Sequence, residues 1–181
     1  TFMTRALPLS EFPYIQDFQD LEATPFAVEY YGTGFNQWVI GSATGMSSTE
    51  ELSSLYISNN QSNYSYTIAN ESRSYVVMPI QFGDDLEYSI SFDYKVGGEE
   101  DYDYLSVRLC DGNVEISENA GMPAGIDILN KATMSDWTNV SYTSTELSGA
   151  YKLLVFYWNN DDGWGNGVPA AIDNIRIEGA N

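Results

Sequence analysis

The sequence predicts an all-β fold, an antiparallel β-sandwich whose most natural version at this length is a jelly roll. Three observations predict it. Short runs rich in aromatic and β-branched residues recur along the whole chain, clusters of turn-forming residues separate them, and no long segment repeats its apolar positions with the 3.6-residue period of a helix. Without helices to serve as crossovers, neighbouring strands must run antiparallel and cover one another as two packed sheets.

Each element has its own warrant. "FAVEYY" (26–31), "NQWVIG" (36–41), "SLYIS" (54–58) and "SYVVMPI" (74–80) are short apolar runs bounded by "YGTG", "SNNQSN" and "FGDD". "LEYSISFDY" (86–94) is the clearest strand: Leu86, Tyr88, Ile90, Phe92 and Tyr94 alternate without error with Glu87, Ser89, Ser91 and Asp93. "DYLSVRL" (103–109) puts Leu105, Val107 and Leu109 on one face, with Cys110 opposite, and "WTNVSYT" (137–143) follows. "YKLLVFYW" (151–158) is apolar on both faces, which suits a central strand covered on its outer side by a loop. The closing "AIDNIRI" (171–177) reads as a strand with Asp173 on the side of Ile175 and Ile177. The expected core includes Leu86, Tyr88, Ile90, Phe92, Leu105, Val107, Leu109, Val155 and Ile175. "SSTEELSSL" (47–55) has room for a helical turn or two. Residues 1–14 read as a loosely held lead-in and residues 15–181 as one domain.

The totals narrow the chemistry. The 181 residues are 43% hydrophobic and 14% aromatic, enough for one substantial core. Seven Lys and Arg against 26 Asp and Glu give a net charge of −19, which opposes binding to a phosphate backbone, so nucleic acid is not an expected partner. The absence of histidine removes serine–histidine and cysteine–histidine catalysis and histidine-ligated zinc. Cys110 is the single cysteine and has no internal disulfide partner. No apolar stretch approaches the roughly 20 residues that span a bilayer, and "TFMTRALPLSEF" lacks the apolar region of a signal peptide, so a soluble chain is expected, with any export signal or anchor outside it.

With so few cations available, a hard divalent ion held by oxygens is a natural counter-charge for buried carboxylates, and calcium is the expected ion. "GGEEDYDY" (97–104) sets Glu99, Glu100, Asp101 and Asp103 on a glycine-started loop entering a strand. "NNDDGWGNG" (159–167) lacks the spacing of an EF-hand; its Trp164 sits on a glycine-rich loop just past Trp158 and offers a face for a sugar ring. No two carboxylates stand out as a glycosidase pair, so no enzymatic role is expected. Asp173, read as facing the core, needs a counterpart: a calcium ion, backbone N–H groups, or Arg73 or Arg108.

"NQWVIGSATG", "SLYISNN", "LEYSISFDYKVGGEEDYDYLSV" and "YKLLVFYWNNDDGWGNGVPAAIDNIRI" follow in an order that resembles the cleaved-adhesin and choice-of-anchor J domains, MAM-like jelly rolls of Bacteroidetes-type surface proteins, over roughly residues 15–178. The resemblance implies a jelly roll of concanavalin- or galactose-binding-like topology and a structural calcium between the first and last strands. It places the family's final-strand aspartate at Asp173 and its first-strand "F-E" at Phe18 and Gln19, where glutamine replaces glutamate and leaves Asp17 or Glu22 to supply charge. The expected metal residues are therefore Asp17, Gln19 and Asp173, with Asp103 from the acidic loop. The expected function is a noncatalytic, extracellular adhesion or ligand-binding module of a bacterial surface or secreted protein, with a host or environmental glycan or protein as partner and no membrane insertion of its own. The competing expectations are a carbohydrate-binding module that targets an attached hydrolase to glycan, lined by Trp158, Asp161, Asp162 and Trp164, and a purely structural spacer.

Overall fold

The structure is a computed structural model, described here for residues 5–45 and 53–181. Two antiparallel sheets face each other. The six-stranded sheet runs β3 (Gln37–Gly41), β4 (Ser54–Ser58), β11 (Ala170–Ala180), β6 (Glu87–Val96), β9 (Ser135–Ser144), with β1 (Tyr14–Gln16) also paired to β11. The five-stranded sheet runs β2 (Glu29–Thr33), β5 (Ser72–Gln81), β10 (Tyr151–Asn160), β7 (Tyr104–Asp111), β8 (Gly125–Ala132). Chain neighbours mostly lie in opposite sheets or apart within one, as a jelly roll requires. Among the described residues the sole helical turn is a short 3-10 turn at Thr145–Leu147, and no helix is long and apolar enough to cross a membrane. The proposed turns at 47–52 lie outside the described residues; Ser54 and Leu55 belong to β4.

All nine expected strands are present. Period-two alternation holds in β6 and β7: Tyr88, Ile90, Phe92, Leu105, Val107 and Leu109 are buried between the sheets. Leu86 is the exception at 69% exposure, because it precedes the first paired residue of β6. β10 is central in its sheet and buried on both faces. Leu154, Phe156 and Trp158 enter the main core, while Leu153, Val155 and Tyr157 join Tyr75, Val77 and Cys110 in a second cluster on the outer face. The 112–124 loop covers that cluster with Val114, Ile116 and Met122, so the strand apolar on both faces finds the covering loop it needs. Burial pushes the Cys110 thiol up to about 11, which makes it an inert packed side chain.

The last strand departs from expectation. Between Asp173 and Arg176 the register of β11 against β6 shifts, and Asn174 adopts a left-handed conformation with φ 49°. Two residues instead of one separate Ile172 from Ile175, so Ile172, Ile175 and Ile177 all reach the core. Asp173 therefore lies on the outer face, opposite Asp93 across the ladder, and not on the isoleucine side. It is nonetheless only 3% exposed. In the N-terminal segment Leu9 bridges to Ile80, with its N–H donating to Pro79 and its carbonyl accepting from Gln81.

Candidate functional site

The end of the sandwich where β10 leaves its sheet is built on a buried amide. Asn160 is fully buried, and its Oδ1 accepts from Asn36 Nδ2 at 2.9 Å, Trp158 Nε1 at 3.2 Å and the Ser72 hydroxyl. Its Nδ2 donates to the carbonyls of Asn70 at 2.7 Å and Asp161 at 2.9 Å. Every polar atom in this knot has a partner, which fixes β10 against β5 and sets the direction in which the next loop departs. Trp158, with its indole in this knot and no exposed surface, stacks edge-on against Tyr66 and cannot act as a sugar platform.

Two loops converge beyond the knot. Asp103 is fully buried at the start of β7; its Oδ2 accepts from Tyr66 Oη at 2.5 Å and its Oδ1 from the Asp161 N–H at 3.0 Å. Glu99 and Asp103 close the acidic hairpin through reciprocal backbone bonds of 2.9 Å. Glu99, Asp103 and Asp161 thus each present a carboxylate oxygen within 4.8 Å of the others. Burial raises the Asp103 carboxyl above its usual range, and burial together with the Asp103 carboxylate raises the Tyr66 phenol. An oxygen-seeking cation would suit these three ligands. Glycines permit the approach: Gly98 has φ 74°, where a Cβ would stand 2.1 Å from the Asp103 carbonyl, and a Cβ on Gly165 would stand 2.2 Å from Tyr66 Oη. The 161–169 loop is further pinned by Gly98 N–H donating to Val168 and by Tyr64 Oη donating to Pro169 at 2.6 Å. From this held loop Trp164 projects with 85% of its surface exposed, and Asp162 is exposed beside it.

The remaining expected metal residues lie outside that cluster. Asp17 Oδ1 accepts the Gln19 N–H, while Gln19 Nε2 donates to the carbonyls of Asp17 at 2.8 Å and Ser53 at 3.0 Å. Gln16, which pairs with Ile175, brings this turn beside the bulge, where Asp173 accepts the Asn174 N–H at 2.8 Å. Asn174 and Asn139 side-chain amides donate to the two oxygens of Asp93 at 2.8 and 2.9 Å. Arg73 and Arg108 belong to the other sheet, so the expectation that either pairs with Asp173 is corrected. Among the described residues, Asp103 gathers with Glu99 and Asp161 under the Trp164 loop, whereas Asp173 sits at the bulge of β11 and Asp17 and Gln19 in the turn after β1.

A cleft that sequence reasoning missed opens on the outer face of the five-stranded sheet, with a volume of about 390 Å³. Tyr104, Ser106, Arg108, Tyr157 and Asn159 rise from β7 and β10, Arg73 from β5, Asn130 and Lys131 from β8, and the 119–122 turn closes one side. β8 carries no sequence signal because its side chains are mostly exposed, and the cleft is composed across four strands distant in sequence.

No protein-family model and no curated protein matches the chain. Solved structures share its fold at low identity. The K1 cleaved adhesin domain of Lys-gingipain from Porphyromonas gingivalis W83 superposes with a TM-score of 0.56 at 12% identity, covering 92% of this chain and 97% of that one. The CBM22-1 xylan-binding domain of Paenibacillus barcinonensis Xyn10C gives 0.53 at 11%, covering 97% and 99%. TmCBM61, solved with β-1,4-galactotriose, gives 0.53 at 11%, covering 93% and 99%. This chain therefore has the jelly-roll fold of cleaved adhesin domains and carbohydrate-binding modules.

Proposed function

We propose that the chain is a noncatalytic, extracellular binding module that takes a glycan. The observation that carries this reading is the outer-face cleft, whose half-buried Tyr104 offers aromatic surface and whose Asn119, Asn130 and Asn159 offer amide groups able both to donate to and accept from sugar hydroxyls. Modules of this fold that bind xylan or galactotriose support it. The acidic cluster under the Trp164 loop would serve as a calcium-held brace, not a reaction centre: Asp103 already accepts two hydrogen bonds and is closed off from solvent. A second reading, adhesion to a protein, is favoured by Trp164, an aromatic side chain standing almost wholly in solvent on a well-pinned loop.

A glycan array probed with the wild type, Asn159→Ala and Trp164→Ala separates these. A glycan hit lost in Asn159→Ala and kept in Trp164→Ala supports the cleft. The opposite pattern moves the sugar to the loop tryptophan. Silence on the array rejects the glycan reading and leaves protein adhesion or a spacer role.

A further inference from the structure

We infer that the cleft selects a saccharide carrying a carboxylate, a uronic acid residue in particular; this rests on the reading of the cleft as a glycan site. The chain has 7 cationic side chains against 26 acidic ones, yet three of the seven, Arg73, Arg108 and Lys131, line this one cleft, and no carboxylate lines it with them. A random draw from so acidic a surface would place carboxylates there first. The acids that pair with these cations stand outside the lining: Glu71 with Arg73 at 3.4 Å, Asp127 with Arg108 at 2.6 Å and Asp101 with Lys131 at 3.6 Å.

All three cations are reachable, with side chains 31%, 22% and 47% exposed. Neighbours hold them in place. Arg73 donates to the Asn119 carbonyl at 2.8 Å and Arg108 to the Pro123 carbonyl at 2.9 Å, while Lys131 Nζ lies 5.2 Å from the Tyr104 ring centroid. Each guanidinium has five N–H donors, so both retain donors for a ligand after these contacts. The planar fork of arginine matches a carboxylate in two-point geometry, and the half-buried Tyr104 beside it presents apolar surface for a pyranose ring. The surrounding negative charge then acts as a filter: it repels long polyanions such as nucleic acid, while a short acidic sugar that reaches the cleft competes with Glu71, Asp127 and Asp101 at its edge for the three cations.

Because the −19 overall charge adds a repulsion of its own, the test varies the charge of the ligand and not the salt. Trisaccharides of galacturonate, glucuronate-containing heparosan and alginate are titrated calorimetrically beside their carboxyl-reduced neutral counterparts. At least one acidic member is expected to bind about tenfold or more tightly than its reduced form, the equivalent of one well-placed charge-assisted contact. Arg73→Gln, Arg108→Gln and Lys131→Gln should each erase much of that preference without weakening the neutral form, while Arg176→Gln, on the other sheet, should not. Lys131→Gln guards against misfolding, since its side chain is exposed and, among the described residues, makes the 3.6 Å pair and the ring contact alone. Equal binding of acidic and reduced forms, or preference for neutral sugars, overturns the inference and leaves the glycan reading standing. No binding by any sugar, acidic or neutral, overturns both.

Discussion

Asn159 and Asn160 are chemically identical neighbours on opposite faces of β10, and they should fail in opposite ways when cut to alanine. Asn160→Ala removes the acceptor of the Trp158 indole N–H, which has no exposed surface from which to reach water. A buried donor left without a partner costs about 1–3 kcal/mol. The Asn70 and Asp161 carbonyls lose their donor as well, and the void left by the amide adds to the loss, so a total of about 2–4 kcal/mol is expected. For a chain of this size each kcal/mol moves Tm by roughly 2–4 °C, so the variant should melt about 4–16 °C early by circular dichroism. Asn159 accepts from Tyr157 Oη at 3.1 Å and donates to the Tyr102 carbonyl at 2.8 Å at the partly exposed rim of the cleft, where water can replace either contact. Asn159→Ala should cost less than about 1 kcal/mol and register instead as weaker glycan binding. An Asn160→Ala protein that melts with the wild type, or an Asn159→Ala protein that melts far below it, would refute the assignment of the two faces.

Calcium at about 100 times its dissociation constant should stabilise the fold by about 2.7 kcal/mol, a rise in Tm of roughly 5–11 °C reversed by chelator. Glu99→Gln or Asp161→Asn should cancel that rise if the ion sits under the Trp164 loop, and Asp173→Asn should cancel it if the ion sits at the bulge; a Tm indifferent to calcium rejects both. Asp103 has a folded-state pKa raised chiefly by burial, so the native state holds its proton longer than the unfolded chain does. Its unfavourable contribution is therefore present above the folded pKa and relieved as pH falls towards the ordinary carboxylate value. Without metal, the wild type should gain stability relative to Asp103→Asn as pH falls from neutral towards the ordinary carboxylate value, and with calcium bound the gain should shrink; a difference that runs the other way counts against the burial argument. At the bulge, Asn174→Gly keeps the left-handed backbone and loses the 2.8 Å bond to Asp93, costing about 1.5–3 kcal/mol in a denaturant melt, and Asn174→Ala should cost about 1 kcal/mol more. If alanine proves better tolerated than glycine there, the positive φ does not govern the site.

Strands were legible where burial is one-sided or complete. The alternation from Tyr88 to Phe92 and the continuous run of β10 both record a physical requirement in the residues themselves, and the position of β10 at the centre of its sheet followed from that run. β1 and β8 were not legible for opposite reasons. β1 is three residues long, too short for a period to show, and β8 has so few buried side chains that its sequence reads as polar loop. The buried polar residues were illegible too. Asn36, Gln16 and Asn160 look like surface amides in the sequence, and only the tertiary pairing of their donors and acceptors makes them interior.

The candidate sites show where local reading ends. Alternation correctly marked Asp173 as a carboxylate that burial would trouble, but it located the wrong face, since a single inserted residue inverts every side chain beyond it. Nothing in "IDNI" announces the insertion except Asn174 itself, one of the few residue types that takes the left-handed conformation at modest cost. The acidic "GGEEDYDY" loop and the "NNDDGWGNG" loop were each singled out separately, one for metal and one for sugar, although Asp103 and Asp161 are joined by a hydrogen bond and belong to one structure. That union changes what each residue can do. Trp158 becomes part of the frame, Asp161 turns its backbone and carboxylate towards Asp103, and Trp164 and Asp162 are left facing outward. A loop whose acidic residues brace its base can hold an exposed tryptophan in one place without using the tryptophan for stability. Trp164→Ala should therefore leave Tm nearly unchanged, and a large fall in Tm would show instead that the indole packs against the sandwich it stands beside.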